Sequence, residues 1–202
     1  MDILVVLAQP DATSFSAAVA SAFVEGARGA GHSCELANII HEGFEPRELQ
    51  VDLDCYHGNG PVPKDVADEQ ARIDRADALV LVFPIYWWSM PAVLKGWIDR
   101  VFIGGWAFTF EEGRVVGTLP DMPVHLLAVG GGDAAGYEKR GYGVAFNTQI
   151  EEGIFRFCGI KRIKTHMMLE SESRNAQVRD EHLRKARAIG AHVELPHGQI
   201  FS

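Results

Sequence analysis

The stretch from Ala78 to Phe102 reads ALVLVFPIYWWSMPAVLKGWIDRVF, and it decides the fold. Leu79 to Phe83 is a short run of Leu, Val and Phe, which marks a strand buried on both faces. Pro84 lacks the N–H that a ladder needs and ends the strand. Pro91 is placed to open a helix, with Ser89 upstream as a candidate cap. Leu94, Trp97, Ile98, Val101 and Phe102 then recur at helical spacing and give that helix one apolar face. Ile85, Tyr86, Trp87 and Trp88 stand between strand and helix. In open α/β sheets, ligands bind beyond the carboxyl ends of the strands. Two adjacent tryptophans cannot both turn into one core layer, so at least one faces a pocket or a partner chain. Aromatics crowded at such a point invite a flat ligand.

Upstream, Ile3 to Ala8 is a second buried-strand candidate, followed by a loop of turn and cap residues from Gln9 to Ser16. Phe15, Ala18, Val19, Ala22 and Phe23 trace a helix face that Gly29-Ala30-Gly31 stops. His32 to Ile39 reads as a strand and Lys64 to Arg75 as a helix; residues 40–63 between them show no period and read as a long irregular loop. Downstream, Trp106, Phe108 and Phe110 alternate and should share one side of an extended segment, with Gly113 and Gly117 as turn glycines. Pro123 to Val129 is a strand that ends in Gly130-Gly131-Gly132-Asp133. Phe146, Ile150, Ile154 and Phe157 make the face of the next helix, closed by Gly159. Arg162 to Met168 is the last strand. The last helix, 176–193, carries Asp180–Arg184 and Glu181–Lys185 pairs, and the tail from Glu194 should be loose.

Strands alternating with helices predict an α/β domain of three layers, a parallel sheet with helices on both faces. Five strands fit the doubly wound order 2-1-3-4-5. That order brings the ends of strands one, three and four together. Those ends are Gln9 to Ser16, Pro84 to Trp88 and Gly130 to Tyr142, each a loop with unusual chemistry. Thr13, Ser14 and Ser16 at a helix start suit a phosphate, or merely cap the helix. The glycine run lets backbone approach a flat ring, or is only a turn. There is no Walker A motif, no GxGxxG and no GxSxG elbow.

The 202 residues suit one domain, 1–202. A net charge of −8 argues against nucleic acid and against anionic membrane surfaces as main partners. Cys34, Cys55 and Cys158 are far apart and form no CxxC, which points to reduced thiols and a cytoplasmic protein. No metal-ligand spacing stands out. His125 and His166 lie within expected strands and read as structural, whereas His32, His41, His57, His192 and His197 read as solvated.

The stretch from Phe83 to Phe102 resembles the core motif of the NAD(P)H:quinone oxidoreductases of the flavodoxin-like superfamily, which include DT-diaphorase, the modulator-of-drug-activity reductases and the ancillary reductases of potassium efflux systems. Leu7 to Pro10 with Thr13 to Ser16, then Ala67 to Gln70, and the glycine run also match. The likeness covers most of residues 3–170. It implies a bound flavin, FAD with FMN as the alternative, NADPH or NADH as electron donor, and a homodimer with shared active sites. Carried over by position, Gln9, Thr13, Ser14, Phe15 and Ser16 would hold the phosphate and ribityl chain. Pro84, Ile85, Tyr86, Trp87 and Trp88 would line the isoalloxazine, with Gly130, Gly131 and Gly132 at its far edge. Tyr137 matches the family tyrosine that polarises the flavin. Phe108 and Phe110 match aromatics that reach the neighbouring subunit's site, where, with Trp87 and Tyr142, they would meet the substrate.

The chain departs from the family pattern in places. Gln9 stands for a usual His, Ser16 for Asn and Tyr86 for Gln. The family's catalytic His has no counterpart after Tyr137; Tyr142 or Arg140 falls near its place, and tyrosine is the poorer proton shuttle. The expectation is two-electron hydride transfer from NAD(P)H through the flavin to a quinone or similar small aromatic acceptor, with ping-pong kinetics. The alternatives are a regulatory flavoprotein subunit of a potassium efflux transporter, which would need a membrane partner, and a general azo, nitro or flavin reductase. A one-electron flavodoxin carrier fits less well, because the segment 106–110 and the loop 133–142 would cover the flavin edge that a carrier exposes.

Overall fold

The computed structural model describes residues 1–194. The expected loose tail and His197 fall outside the described residues, apart from Glu194. In chain order the elements are β1 (Asp2–Leu7), α1 (Phe15–Gly29), β2 (Ser33–Asn38), α2 (Gln50–Tyr56), α3 (Lys64–Asp74), β3 (Ala78–Pro84) and α4 (Ala92–Val101). There follow β4 (Phe108–Glu111), β5 (Arg114–Gly117), β6 (Val124–Val129), α5 (Ala134–Arg140), α6 (Tyr142–Phe146), a π-helix (Asn147–Arg156), β7 (Ile163–Met168) and α7 (Ala176–Ala191).

The five long strands pair in parallel in the order β2-β1-β3-β6-β7, the expected 2-1-3-4-5. The period of two divides each central strand between two cores. Leu4, Val6, Leu79, Leu81 and Phe83 face one side and meet Leu94, Trp97 and Ile98 of α4. Ile3, Val5, Val80 and Val82 face the other and meet Val19, Phe23 and Ala27 of α1. On that second side α1 and α7 touch through glycines. A Cβ on Gly26 would stand 1.9 Å from the Arg187 carbonyl oxygen, and one on Gly190 would stand 2.1 Å from that of Phe23.

Several expectations are corrected. Ser89 does not cap α4; Pro91 holds the cap position, and the Ser89 backbone pairs with Tyr86 instead. Residues 40–63 are not wholly irregular, because α2 forms within them, anchored by the Asp52 carboxylate on the buried Arg100 guanidinium. Trp106 lies in a turn rather than on a strand, with its indole N–H donated to Asp74. Only Phe108 and Phe110 share a strand face, in the antiparallel hairpin β4–β5. Gly117 is a close-approach glycine, since a Cβ there would lie 2.2 Å from the Gly159 amide nitrogen. The Asp180–Arg184 and Glu181–Lys185 pairs do not form among the described residues. Phe157 is exposed and Phe155 is buried in its stead. The π-helix explains this: its wider i→i+5 turn rotates position 155 onto the core side.

Candidate functional site

The doubly wound order sets the loops after β1, β3 and β6 side by side, because those strands are neighbours in the sheet. Each loop leaves backbone donors without acceptors. Ser14 caps α1, its hydroxyl oxygen accepting from the Ala17 amide at 3.2 Å. The amides of Phe15 and Ser16, in the first turn, meet no acceptor among the described residues. The same holds for the amides of Trp87 and Trp88, and for those of Gly131 and Gly132.

The first loop is tied down by its neighbours. Asn38 at the end of β2 donates to the Gln9 carbonyl at 2.9 Å, and His41 Nε2 lies 2.7 Å from the Pro10 carbonyl oxygen. The Thr13 hydroxyl and amide both donate to Asp11 Oδ1, at 2.7 and 2.8 Å, which holds the Asp11 carboxyl below its usual range. A hydroxyl already given to Asp11 has no proton to offer a phosphate. The Ser14 hydroxyl accepts from Ala17 and keeps its proton for a ligand. Ser16 is buried, so its accessible contribution is the amide.

A cation reaches this loop from the other end of the chain. The Arg179 guanidinium of α7 lies over the Phe15 ring, 4.7 Å from its centroid, with His182 alongside at 6.3 Å. Neither residue shows in a reading of the loop motifs. Only the packing of α7 on α1 brings them to the start of α1. Two free amides, a hydroxyl and a guanidinium together suit a phosphate.

The second loop is strained. Tyr86 and Ser89 exchange both backbone hydrogen bonds at 3.1 Å, so Trp87 and Trp88 are the central residues of a two-residue turn. Both have positive φ, 49° and 58°, the pattern of a type I′ turn that favours Asn-Gly. The hairpin β4–β5 makes the same kind of turn with Glu112 and Gly113. Bulky residues in the left-handed region cost about 1–2 kcal/mol each, and such strain gathers at functional sites. The turn presents Trp87 almost wholly to solvent, at 87 % exposure.

The third loop is braced by β7 and the residues after it. Gly130 donates to the Met168 carbonyl, and the Gly130 and Gly132 carbonyls accept from Ser171 and Glu170. The space that side chains on the glycines would fill is taken. A Cβ on Gly130 would stand 3.2 Å from Ile85 Cδ1 and 3.3 Å from the Tyr137 hydroxyl, and one on Gly132 would stand 3.1 Å from the Tyr137 ring. Gly130 thus joins the second and third loops, and Tyr137 is wedged against the glycine run. Burial, with Tyr142 nearby, pushes the Tyr137 phenol above its ordinary pKa, so it stays a hydrogen-bond donor. Tyr142 meets Tyr137 edge-on at 5.7 Å and stacks on Trp88 at 4.3 Å. The rings of Tyr137, Tyr142, Trp88 and Trp87 therefore form one continuous wall across two loops.

Phe108 and Phe110 are not part of this wall. With Pro46, Tyr56, Arg100 and Ile103 they line a cavity of about 620 Å³ that none of the three loops reaches. Arg140 stays near Asp133 on α5, exposed.

The donor set fits a flavin. Paired unpartnered backbone N–H groups would meet the polar edge of its ring system, the start of α1 with Arg179 would hold its phosphate, and the indoles would supply flat apolar surface.

Comparison with known proteins supports the fold. Residues 1–189 match the model of the flavodoxin-like fold family. A ribosyldihydronicotinamide dehydrogenase (quinone) of Rattus norvegicus is 30 % identical over 178 residues, covering 79 % of this chain and 77 % of that one. The solved NAD(P)H:quinone oxidoreductase from Methanothermobacter marburgensis superposes with a TM-score of 0.88 at 30 % identity, over 96 % of this chain and 99 % of the other. An FMN-dependent NADH-azoreductase from Bacillus anthracis, solved with FMN, shares the fold at a TM-score of 0.76 and 18 % identity, over 95 % and 98 %. By its strand order, its three loops and these matches, the chain belongs to the flavodoxin-like fold family, with relatives along nearly its whole length among the quinone-type NAD(P)H dehydrogenases.

Proposed function

We propose that this protein is a flavin-dependent NAD(P)H:quinone oxidoreductase. The observation that carries the reading is the set of three loops with unpaired amides, bounded by the aromatic wall of Trp87, Trp88, Tyr142 and Tyr137. The names of the relatives point the same way. FAD is the favoured cofactor and FMN the alternative. When bound, the flavin supplies a hydride relay between a nicotinamide donor and a flat acceptor that use one slot in turn.

The residues divide the work. The amides of Phe15 and Ser16, the Ser14 hydroxyl and Arg179 would hold its phosphate. The amides of Trp87, Trp88, Gly131 and Gly132 would donate to the polar edge of a bound ring system, and the Tyr137 hydroxyl would stabilise negative charge beside it. Trp87 and Trp88 present apolar faces that exclude water from the slot.

The site is completed by a second copy. Leu49, Val51, Tyr56 and Phe110 are large apolar residues exposed on α2, the loop before it and the hairpin β4–β5. Phe108 and Phe110 line a cavity apart from their own chain's three loops and would serve the partner's slot. No helix among the described residues is long and apolar enough to cross a membrane.

The test is to release the bound chromophore, weigh it, and reduce the protein anaerobically with each nicotinamide. We expect a yellow dimer whose flavin bleaches with NADPH or NADH and whose double-reciprocal plots with a quinone are parallel. A colourless monomer that takes up neither flavin would overturn the assignment.

A further inference from the structure

Two tyrosines line the aromatic wall, and they are held in opposite ways. Tyr137 is buried, with its ring and hydroxyl pressed against the glycine run. Tyr142 lies on Trp88 in a near-parallel stack, ring centroids 4.3 Å apart and planes at 28°. Its hydroxyl makes no hydrogen bond among the described residues. It sits between Gly141, which has a φ of +69°, and Gly143, and nothing lies within 4 Å of the Cβ position of either glycine. Tyr142 begins α6, which has no side-chain cap and runs without a break into the π-helix. The backbone is therefore free to pivot on one side only, at Gly141, while the Tyr142 side chain is held by ring contacts. Glycine at position 141 allows backbone rotations that other residues resist.

The turn beneath it is constrained. Trp88 is set by the Tyr86–Ser89 backbone pair, and Ser89 is near Gln149 of the π-helix at 3.4 Å. A near-parallel stack at 4.3 Å is the arrangement a flat conjugated ligand takes on an indole. A second ring cannot enter that space while Tyr142 fills it.

We propose that Tyr142 is a displaceable aromatic gate, which occupies on Trp88 the place a flat aromatic acceptor takes and swings away about its own side-chain torsions and the Gly141 pivot when one binds. The inference rests on the oxidoreductase reading and names how its slot is regulated and what it admits. The substrate class is a rigid planar ring system able to outcompete a phenol for the indole face. Small non-planar acceptors would not open the gate. The cost of displacing Tyr142 lowers apparent affinity by the fraction of time the gate is open.

The test uses the full-length oxidised protein with whatever flavin it carries and no nicotinamide, so that no turnover intervenes. Menadione is titrated by calorimetry into the wild type, Tyr142→Phe and Tyr142→Ala, and the near-ultraviolet circular dichroism is recorded in parallel. Tyr142→Phe keeps the ring and should bind as the wild type does. Tyr142→Ala opens the space and should bind about 3- to 10-fold more tightly, the range expected for one aromatic pair. The dichroism of the stacked pair should be absent in Tyr142→Ala, and saturating menadione should abolish it in the wild type. Binding to Tyr142→Ala that is equal to or weaker than wild type would overturn the gate, because Tyr142 would then be a wall or a ligand holder. Dichroism unmoved by saturating menadione would overturn it too. If either happens while menadione still binds, the oxidoreductase reading stands. Absence of menadione binding in all three proteins would remove both.

Discussion

Nδ1 of His125 lies 3.0 Å from Nε2 of His166, two buried imidazoles from neighbouring strands stacked almost parallel. His125 Nε2 is 2.8 Å from the Val193 carbonyl oxygen. A carbonyl only accepts, which assigns the His125 proton to Nε2 and makes its Nδ1 the acceptor of the His166 Nε2–H. The pair thus ties β6 and β7 to the residues that follow α7. Burial lowers both pKa values, aided by Lys164; His166 falls to about 3, with His125 and Lys185 contributing.

The sign of the pH effect follows. Unfolded histidines take up protons near pH 6.5, and the folded pair refuses them, so the unfolded state binds more protons below that pH. Stability should be level above about pH 7 and fall by ~1.4 kcal/mol per pH unit on account of His166 as the pH drops from 6.5 toward 3, with His125 adding to the fall in the same direction. Urea midpoints measured across this range will report it. His166→Gln, which keeps a donor for His125, should flatten the acid limb.

The contact between α1 and α7 admits no side chain at two places. Gly26→Ala and Gly190→Ala each drive a methyl into the facing backbone, at 1.9 and 2.1 Å. Each should cost about 3 kcal/mol, as overpacking against rigid backbone does. Gly29→Ala, with nothing within 4 Å, should be neutral or slightly stabilising. Denaturant melts of the three variants separate close approach from glycine content.

Trp87 occupies a left-handed backbone position while fully presenting its indole. Trp87→Asn should relieve the strain and raise stability by about 1 kcal/mol. It should also weaken binding of a flat ligand. A thermal midpoint that rises while ligand affinity falls would show strain maintained for function; a midpoint that falls would refute it.

Arg179 stands over Phe15 at the start of α1. Arg179→Gln should weaken flavin binding about tenfold, because a charge-assisted contact is lost, and should reduce the dependence of that binding on salt. Fluorescence titration of the flavin-free protein at two ionic strengths measures both.

Tyr137→Phe keeps the ring against the glycine run and removes only the hydroxyl. Flavin should stay bound, and anaerobic reduction by the nicotinamide should slow by about 10- to 100-fold. Because burial holds the Tyr137 proton on, the wild-type reduction rate should be level from about pH 6 to about pH 9. An unchanged rate in the variant would remove Tyr137 from the mechanism.

Much of this protein was readable from residue order. Unbroken apolar runs such as Leu79–Phe83 are what a strand covered on both faces requires, and helices between them leave a parallel sheet as the economical solution. The chain thereby determined its sheet order and the three loops that meet at the switch point. The glycine run, the paired tryptophans and the cluster of Thr13, Ser14 and Ser16 at a helix start were visible for the same reason, because local chemistry is written in adjacent residues; the structure picks Ser14 as the cap.

Tertiary structure decided the rest, wherever a role depends on residues distant in the chain. Arg179 reaches Phe15 only because Gly26 and Gly190 let two helices close on each other. Tyr142 finds Trp88 only because β3 and β6 are neighbours, and Phe155 replaces Phe157 in the core only because the helix between them widens to a π turn. Short-range pattern encodes which elements form, whereas burial and close contact between elements select which side chains meet.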